Sequence, residues 1–329
     1  MKTSLSKSRY TRYCQCPKSL WLSINKPDEA TVDAGVEARF AEGNVVGDLA
    51  MGLFGDFVEV TTMKDERLDL NAMIAKTREE MERGTEVICE ASFSYNDGTG
   101  SNYCAVDILR KTADGWAIYE VKSTTSHMAD VATMSKELVD KVEKYAKDIA
   151  FQKWVLVQCG VKVTGTYLVT LNSDYVRQGD LDVQQLFNVI DMKELVENEY
   201  LKVPTQQRLA HTVLQGDEPQ KAIGMHCSDP YQCAFWSYCT HQVGLDLEND
   251  KTTVFDLYRM SAKKKFELFD QGKVTFEDVR YDKLNDKQQT ALDKKAVYTV
   301  LNLEAKAGDE KITEFGGGKV TISVAFELP

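Results

Sequence analysis

The chain has 329 residues, of which 43% are hydrophobic and 28% are charged, and its formal net charge is -11. This composition excludes disordered and fibrous classes and allows one large or two modest globular domains. No apolar run of about 18 residues occurs, and the N-terminus lacks the apolar core of a signal peptide. We therefore expect a cytoplasmic protein with no membrane partner. The acidic balance argues against wrapping of nucleic acid over the whole surface, because Lys and Arg supply the phosphate affinity.

The N-terminal segment contrasts with the acidic remainder. It holds apolar positions at helical intervals over residues 5–24, and a second helix, broken by Gly43 and Gly47, is expected over 34–54. No acidic side chain precedes Asp28. The basic start is either a solvated surface or a local DNA-binding surface. In the second case the candidate DNA contacts are Lys7, Arg9, Arg12 and Lys18.

A β-rich region follows a helix near residues 72–83. Runs of β-branched and aromatic residues predict strands at 87–95, 103–111 and 116–123. Asp114-Gly115 is a tight-hairpin signal, so the three strands should form an antiparallel meander. A long helix over 135–158 and a fourth strand over 161–171 come next. A helix packed against such a meander favours an α/β fold.

The last third of the chain has a mixed pattern. Residues 183–215 have helical periodicity, and residues 224–241 form a cysteine-rich segment. Two helical patches and a late strand at 319–328 are expected within residues 245–329. The glycine run before Lys319 predicts a hairpin turn and not a phosphate-binding loop, because a strand follows it.

Three polar side chains face one another across the predicted hairpin. A two-residue turn at Asp114-Gly115 would place Asp107 opposite Lys122. Glu120 would then be the diagonal neighbour on the same face, within the roughly 5–8 Å typical of such pairs. Two carboxylates suit Mg2+ or Mn2+, and the lysine can activate water or stabilise transition-state charge. The alternative is a surface cross-strand salt bridge.

The next helix adds an amide to this face. Its apolar positions recur at three- and four-residue steps and put Gln152 on the buried stripe. A buried amide needs partners, so Gln152 orients a water or the scissile group, or alternatively caps a sheet edge. Glu90 is a third candidate carboxylate whose face depends on the 96–102 loop. The predicted catalytic residues are Asp107, Glu120, Lys122 and Gln152. The first two are the expected metal ligands, and Ala at either should abolish cleavage and leave the fold intact.

The cysteines predict a metal centre, because a reducing compartment disfavours disulfides. Cys227, Cys233 and Cys239 recur at six-residue intervals, and they leave one position of a tetrahedral or cubane site open. We expect Cys16 to fill it, with Cys14 as the alternative. Structural zinc sites usually space cysteines by two to four residues, which favours iron-sulfur over zinc here. The cysteines expected to be packed core thiols are Cys89, Cys104 and Cys159. His226 and His241 flank the segment and are not expected to bind the metal.

Asp107, Glu120-x-Lys122 and Gln152 together resemble the PD-(D/E)XK nuclease superfamily, specifically its RecB-like branch. The cysteines narrow this resemblance. Cys16-Pro17-Lys18 near the start, followed by Cys227, Cys233 and Cys239, resembles the CRISPR-associated iron-sulfur exonuclease family and related AddB-type nuclease domains. The similarity covers roughly residues 1–241.

The resemblance implies a restriction-endonuclease-like α/β fold. A mixed β-sheet flanked by helices would form a nuclease domain over 1–241, closed by an iron-sulfur cluster subdomain. Residues 245–329 would form a small C-terminal α+β module. Asp107 and Glu120 would bind Mg2+ or Mn2+, and the four cysteines would bind a 4Fe-4S cluster. The expected activity is a metal-dependent DNA exonuclease that acts on single strands or ends in repair, mobile-element or CRISPR-type processing.

The chain departs from the family pattern at two positions. A metal-binding histidine is common in a G-x-x-x-H helix, where this chain has Gly43 and then Gly47. A Q-x-x-x-Y motif would place tyrosine where this chain has Leu156. The candidate substitutes are Asp48 and Glu90. These departures support a rival hypothesis, a catalytically weakened DNA-binding or adaptor protein that retains the fold and the cluster.

Overall fold

A computed structural model describes residues 4–31, 34–245, 253–257, 260–275, 278–279, 310–315 and 318–323. The strands are β1 Leu5–Ser6, β2 Val58–Glu59, β3 Met63–Lys64, β4 Arg67–Leu68, β5 Val87–Asn96, β6 Ser101–Lys111, β7 Trp116–Ser126, β8 Val163–Asn172, β9 Phe187–Asp191, β10 Glu310–Phe315 and β11 Gly318–Ser323. The α-helices are α1 Lys7–Gln15, α2 Pro17–Asn25, α3 Ala34–Met51, α4 Leu70–Arg83, α5 Met128–Thr133, α6 Lys136–Val142, α7 Ala146–Gln158, α8 Val183–Leu186, α9 Lys193–Tyr200, α10 Val203–Gln215, α11 Trp236–Gln242 and α12 Ala262–Asp270.

The chain divides into two compact units. The first comprises residues 1–222 and 229–236, and the second comprises residues 223–228 and 237–329. The division therefore falls within the cysteine-rich segment, whereas the sequence predicted a boundary between 241 and 245. In the described ranges, no helix has the length and apolarity needed to cross a membrane.

The first unit is built on a mixed seven-stranded sheet in the order β2-β5-β6-β7-β8-β9, and β1 also pairs with β6. The pairs β5–β6 and β6–β7 are antiparallel, which confirms the predicted meander, and the pair β8–β9 is also antiparallel. The pairs β7–β8, β2–β5 and β1–β6 are parallel. A parallel pair needs a crossover, and α5, α6 and α7 supply it between β7 and β8. The predicted α/β class with a mixed sheet is confirmed.

Helices cover both faces of this sheet. On one face, α7 buries Ile149 and Phe151 in a large apolar cluster that also takes residues from α1, α2 and α10. On the other face, Ala50 at the end of α3 packs with Cys89 and Tyr119. Burial of these apolar surfaces is the main force that holds the layers together.

Several predicted helices differ from those in the structure. The first breaks at Cys16, which is extended because Pro17 follows it, so α1 and α2 are separate. In contrast, α3 runs through Gly43 and Gly47 without the predicted break. The predicted helix over 135–158 is interrupted by a 3-10 turn at Glu143–Tyr145. The helical pattern over 183–215 contains a strand, β9, which pairs with β8.

In the second unit, α12 accounts for one predicted helical patch, and residues 281–309 lie outside the described ranges. The strands β10 and β11 pair antiparallel, as the predicted hairpin requires. Gly316 and Gly317 of that turn, and residues 324–329 of the predicted late strand, are likewise outside the described part of the chain.

Candidate active site

The hairpin between β6 and β7 has a different register from the predicted one. Lys111 pairs with Trp116, so four residues, 112–115, connect the strands. The two-residue turn predicted at Asp114-Gly115 is therefore wrong. Gly115 does not adopt the positive φ of a two-residue turn. It instead packs against the Lys162 backbone, where an added Cβ would lie 2.3 Å from the carbonyl oxygen.

This register aligns Asp107 with Glu120 and not with Lys122. The ladder ends at the Ile108–Tyr119 pair, one residue before this position. There the backbone N–H of Val121 donates to Asp107 Oδ2 at 2.7 Å. A shift of two residues keeps every side chain on its face, so the predicted convergence of Asp107, Glu120 and Lys122 survives the register error.

The backbone pairing between β5 and β6 is interrupted at the level of Asp107. Their ladder skips the position where Glu90 would pair with Asp107. Glu90 has a φ of 58°, which is rare for a side chain of this type. Val106 and Leu109 are three residues apart yet pack into one cluster, so the alternation of faces breaks at Asp107. Strained backbone of this kind costs about 1–3 kcal/mol and clusters at functional sites.

Glu120 is the centre of the site and is fully buried, with 0% of its side chain exposed. Lys7 Nζ donates to both of its oxygens, at 2.8 and 2.9 Å. Lys122 Nζ donates to Oε1, and Gln152 Nε2 donates to Oε2 at 2.6 Å. A second carboxylate, Asp107, lies 3.7 Å from the Lys7 ammonium. The structure thus brings the four predicted catalytic residues to one place and adds Lys7.

Local structure explains why Lys7 reaches this point. The short strand β1 pairs in parallel with residues 102–103 of β6, which fixes the start of α1 beside the sheet. Ser6 caps that helix by accepting from the backbone N–H of Arg9 at 3.3 Å. Lys7 is the first helical residue, and from this position its ammonium reaches Glu120. The sequence predicted Lys7 only as a DNA contact.

Helix α7 contributes two side chains. The buried stripe predicted for it is confirmed, and Gln152 is fully buried on that stripe. Its Nε2 also approaches the Ala105 carbonyl at 3.4 Å, whereas its Oε1 is buried and accepts no hydrogen bond from the residues described. Asp148, one turn earlier, lies 3.9 Å from Lys122 Nζ. Asp148 was not predicted from the sequence, although its four-residue spacing from Gln152 places both on one helix face.

The two ammonium groups hold Glu120 in its ionised form. Burial alone would raise the pKa of Glu120, but the charges of Lys122 and Lys7 outweigh it and lower that pKa to about 2. Burial would likewise lower the pKa values of Lys7 and Lys122, but the surrounding carboxylates raise both. Both lysines are therefore charged at neutral pH. Lys122 can stabilise negative charge but cannot take a proton from water.

The pKa values of the neighbouring carboxyl groups are raised, in contrast to that of Glu120. Burial, followed by the charge of Glu120, raises the pKa of Asp107. Burial also raises the pKa of Asp148. These groups favour additional positive charge, which a hard divalent cation would provide through carboxylate oxygens. The Lys7 ammonium between Asp107 and Glu120 occupies such a position, so the donor types fit Mg2+ or Mn2+. No three His, Cys, Asp or Glu side chains in the described ranges are arranged as a complete metal site.

Glu90 gives a pH-dependent prediction. Burial, and then the charge of Asp107, raise its pKa from 4.5 to about 7. Stability is therefore lost as the pH rises from 4.5 to about 7, because the unfolded chain ionises Glu90 before the folded chain does, whereas below its ordinary pKa Glu90 is protonated in both states. Glu90→Gln should raise the free energy of unfolding by about 1–3 kcal/mol near pH 8 and leave it unchanged near pH 4. Urea unfolding at both pH values tests this, and an equal effect at both would contradict it.

The other predicted DNA contacts have structural partners. Arg9 Nη1 donates to the Ser4 carbonyl at 2.5 Å, and the Arg12 guanidinium lies 5.9 Å from the centre of the Phe235 ring. Lys18 is buried, with its ammonium 3.3 Å from Glu218 Oε1. Gly47, where the family pattern has histidine, has open space around the position of an added Cβ.

The structure brings together two of the four predicted cluster cysteines, Cys16 and Cys233, both in the first unit. Cys233 Sγ lies 3.5 Å from Ser19 Oγ in the first turn of α2. Burial raises the pKa of Cys16, the backbone N–H groups of Ser19 and Lys18 lower it, and Cys233 is close enough to raise it further. Cys16 also marks the start of α2, whose N-terminal N–H groups favour a thiolate.

The remaining cysteines have different surroundings. Cys227 and Cys239 belong to the second unit, where the Cys227 sulfur lies 3.6 Å from His226 Nε2. Cys14, the alternative ligand, donates to Gln206 Oε1 at 3.6 Å. The buried core positions predicted for Cys89 and Cys104 are confirmed. The same prediction for Cys159 is wrong, because this residue caps the exposed C-terminal end of α7.

No family model and no curated protein matches this chain. Among solved structures, the crystal structure of a protein called SSO0001 is similar, with a TM-score of 0.37 and 13% sequence identity. The similarity covers 73% of this chain and 87% of the other. A superposition this loose assigns neither a family nor a function.

Proposed function

We propose that this chain is a metal-dependent DNA exonuclease of the PD-(D/E)XK, RecB-like type, which hydrolyses phosphodiester bonds. The observation that carries the proposal is the convergence of Asp107, Lys122 and Gln152 at the buried carboxylate of Glu120. A surface salt bridge would not need a fully buried Glu120, a buried amide and strained backbone at one level of the sheet.

Each residue has a role that its surroundings support. A divalent cation, when bound by Asp107 and Glu120, would supply Lewis-acid stabilisation of the phosphoryl oxygens. Lys122 is held as an ammonium, so it stabilises charge that develops on the phosphate. Gln152 fixes Glu120 through Nε2 and leaves its buried Oε1 to accept from an enclosed water.

The surroundings of Lys122 suit single-stranded DNA or DNA ends. Tyr145 lies beneath Lys122, with its ring centre 5.8 Å from the ammonium. Lys144 Nζ lies 5.0 Å from that ring and 4.8 Å from the ring of Tyr231. Tyr231 is 51% exposed, so an accessible aromatic side chain lies beside a second ammonium. Stacking of a base on the ring and contact of a phosphate with the ammonium is a common mode of single-strand binding.

Incubation with DNA tests this function. The anaerobically purified protein is expected to shorten end-labelled single-stranded DNA in the presence of Mn2+ or Mg2+, and not in the presence of EDTA. Inactivity on single strands, duplex ends and flapped DNA with both metals would overturn the proposal.

We also propose a 4Fe-4S cluster held by Cys16, Cys227, Cys233 and Cys239. The strict spacing of the last three and the proximity of Cys16 and Cys233 support it. Spacings of this kind give thiolate ligands without the short pairs typical of zinc sites.

Cys233→Ser is expected to remove most of the iron and acid-labile sulfide, because a cubane cluster needs four ligands. The anaerobic wild-type protein should be brown, and the variant should be pale and less soluble. The control is Cys159→Ser, which removes an exposed thiol and should leave the iron content unchanged. Colourless wild-type protein with stoichiometric zinc would contradict the cluster.

A non-catalytic DNA-binding or adaptor protein is the second candidate. One observation favours it: Lys7 already supplies positive charge between Asp107 and Glu120. A site neutralised by its own lysine would keep the fold without a metal. DNA binding that is unaffected by EDTA, together with no cleavage, would support this candidate.

A further inference from the structure

The acceptor capacity of Glu120 is filled by protein donors. An ionised carboxylate offers about four lone-pair positions. Oε1 accepts from Lys7 and Lys122, and Oε2 accepts from Lys7 and Gln152. A cation that binds Glu120 must therefore displace at least one of these donors.

Lys7 is the donor that can leave. Gln152 is fully buried in α7 within the main apolar cluster. Lys122 is on the same strand as Glu120, two residues away, and it is also within 3.9 Å of Asp148. Lys7 reaches the site from another element, α1, and carries its charge on a flexible four-carbon stem that is tied to neither β7 nor α7. Its departure needs only new side-chain torsions.

Electrostatic repulsion also identifies Lys7 as the donor that must leave. The Lys7 ammonium lies between the two carboxylates, 3.7 Å from Asp107 and 2.8 Å from Glu120. A divalent cation on those carboxylates would lie within a few ångström of the ammonium, and like charges at about 4 Å repel by roughly 4 kcal/mol near a protein surface. The two cations cannot occupy this position together.

We propose that Lys7 is a competing internal cation, which holds the metal position of the site and must withdraw from Glu120 before Mg2+ or Mn2+ binds. The inference rests on the proposed metal-dependent function. Lys7 therefore sets the affinity of the site for divalent cations and keeps the carboxylates neutralised until metal arrives. After withdrawal, its stem leaves the ammonium at the edge of the site, where an incoming DNA phosphate can bind it.

Binding of Mn2+ to the full-length protein, followed by electron paramagnetic resonance at fixed pH, tests the proposal without relying on activity. Lys7→Met removes the charge and keeps most of the stem, so the Kd for Mn2+ should fall by about 10- to 100-fold. Lys7→Gln should behave similarly, and Lys7→Arg should retain weak binding. The matched control is Lys153→Met, which removes the ammonium paired with Glu197 and should leave the Kd unchanged. Thermal unfolding of each variant shows whether it is folded.

The outcomes separate the two proposals. Tighter binding in Lys7→Met that disappears when Asp107→Asn is added would support the role of Lys7. Folded Lys7→Met and Lys7→Gln variants with unchanged or weaker Mn2+ binding would overturn it, even if the wild type cleaves DNA in a Mn2+-dependent way. Failure of the wild type and of both variants to bind Mn2+ would instead overturn the metal-dependent function, and the role of Lys7 with it.

Discussion

Asp107→Asn is expected to reduce Mn2+-dependent DNA cleavage by about a thousandfold, which corresponds to about 4 kcal/mol of transition-state stabilisation. The substitution removes the negative charge that would bind the cation. Asparagine keeps an oxygen that can accept from the Val121 N–H, now bonded at 2.7 Å. Burial already raises the pKa of Asp107, so loss of its charge should not destabilise the fold.

Cleavage rates under single-turnover conditions measure this effect, and chemical unfolding confirms that the variant is folded. The matched control is Asp174→Asn. Asp174 also accepts from a backbone N–H, that of Met128 at 2.8 Å, but it is exposed and lies away from Glu120. Full activity in the Asp107 variant would mean that this carboxylate does not bind the metal. The charged groups on the hairpin would then form only structural ion pairs.

Periodicity predicted the residues that belong to regular elements. Glu120 and Lys122 alternate along one strand, and Gln152 recurs on the buried stripe of α7, so local patterns sufficed to place them on facing surfaces. The register error did not matter, because a shift of two residues preserves the face. The strand pattern of β5, β6, β7 and β8 was predictable for the same reason.

The features that periodicity missed depend on tertiary contacts. Lys7 reaches the site because a two-residue strand pairs with β6, and a strand that short has no sequence pattern. The break at Glu90 and Asp107 is an exception to alternation, so a rule based on alternation cannot predict it. Strand β9 has five residues within a helical pattern and is stabilised by its pairing with β8.

The sequence led us to expect that Glu120→Ala would leave the fold intact. The burial of Glu120 changes this expectation. Glu120→Ala should instead lower the free energy of unfolding by about 3–5 kcal/mol. The substitution leaves the ammoniums of Lys7 and Lys122 and the amide of Gln152 without their shared acceptor. Removal of one partner from a buried ionic network costs far more than loss of an exposed pair.

Urea unfolding at neutral pH measures this loss, and Glu197→Ala is the matched control. Glu197 also pairs with a lysine, Lys153, but it is 49% exposed, so its loss should cost only about 0–1 kcal/mol. Addition of Lys7→Met to Glu120→Ala should restore about 1–3 kcal/mol, because one uncompensated charge is removed.

The pKa of Glu120 is about 2, below its ordinary 4.5, so its stabilising effect is complete above pH 4.5 and is lost as the pH falls toward 2. The deficit of the Glu120 variant should therefore shrink over that acidic range, and a deficit independent of pH would show that packing, and not charge, makes Glu120 necessary.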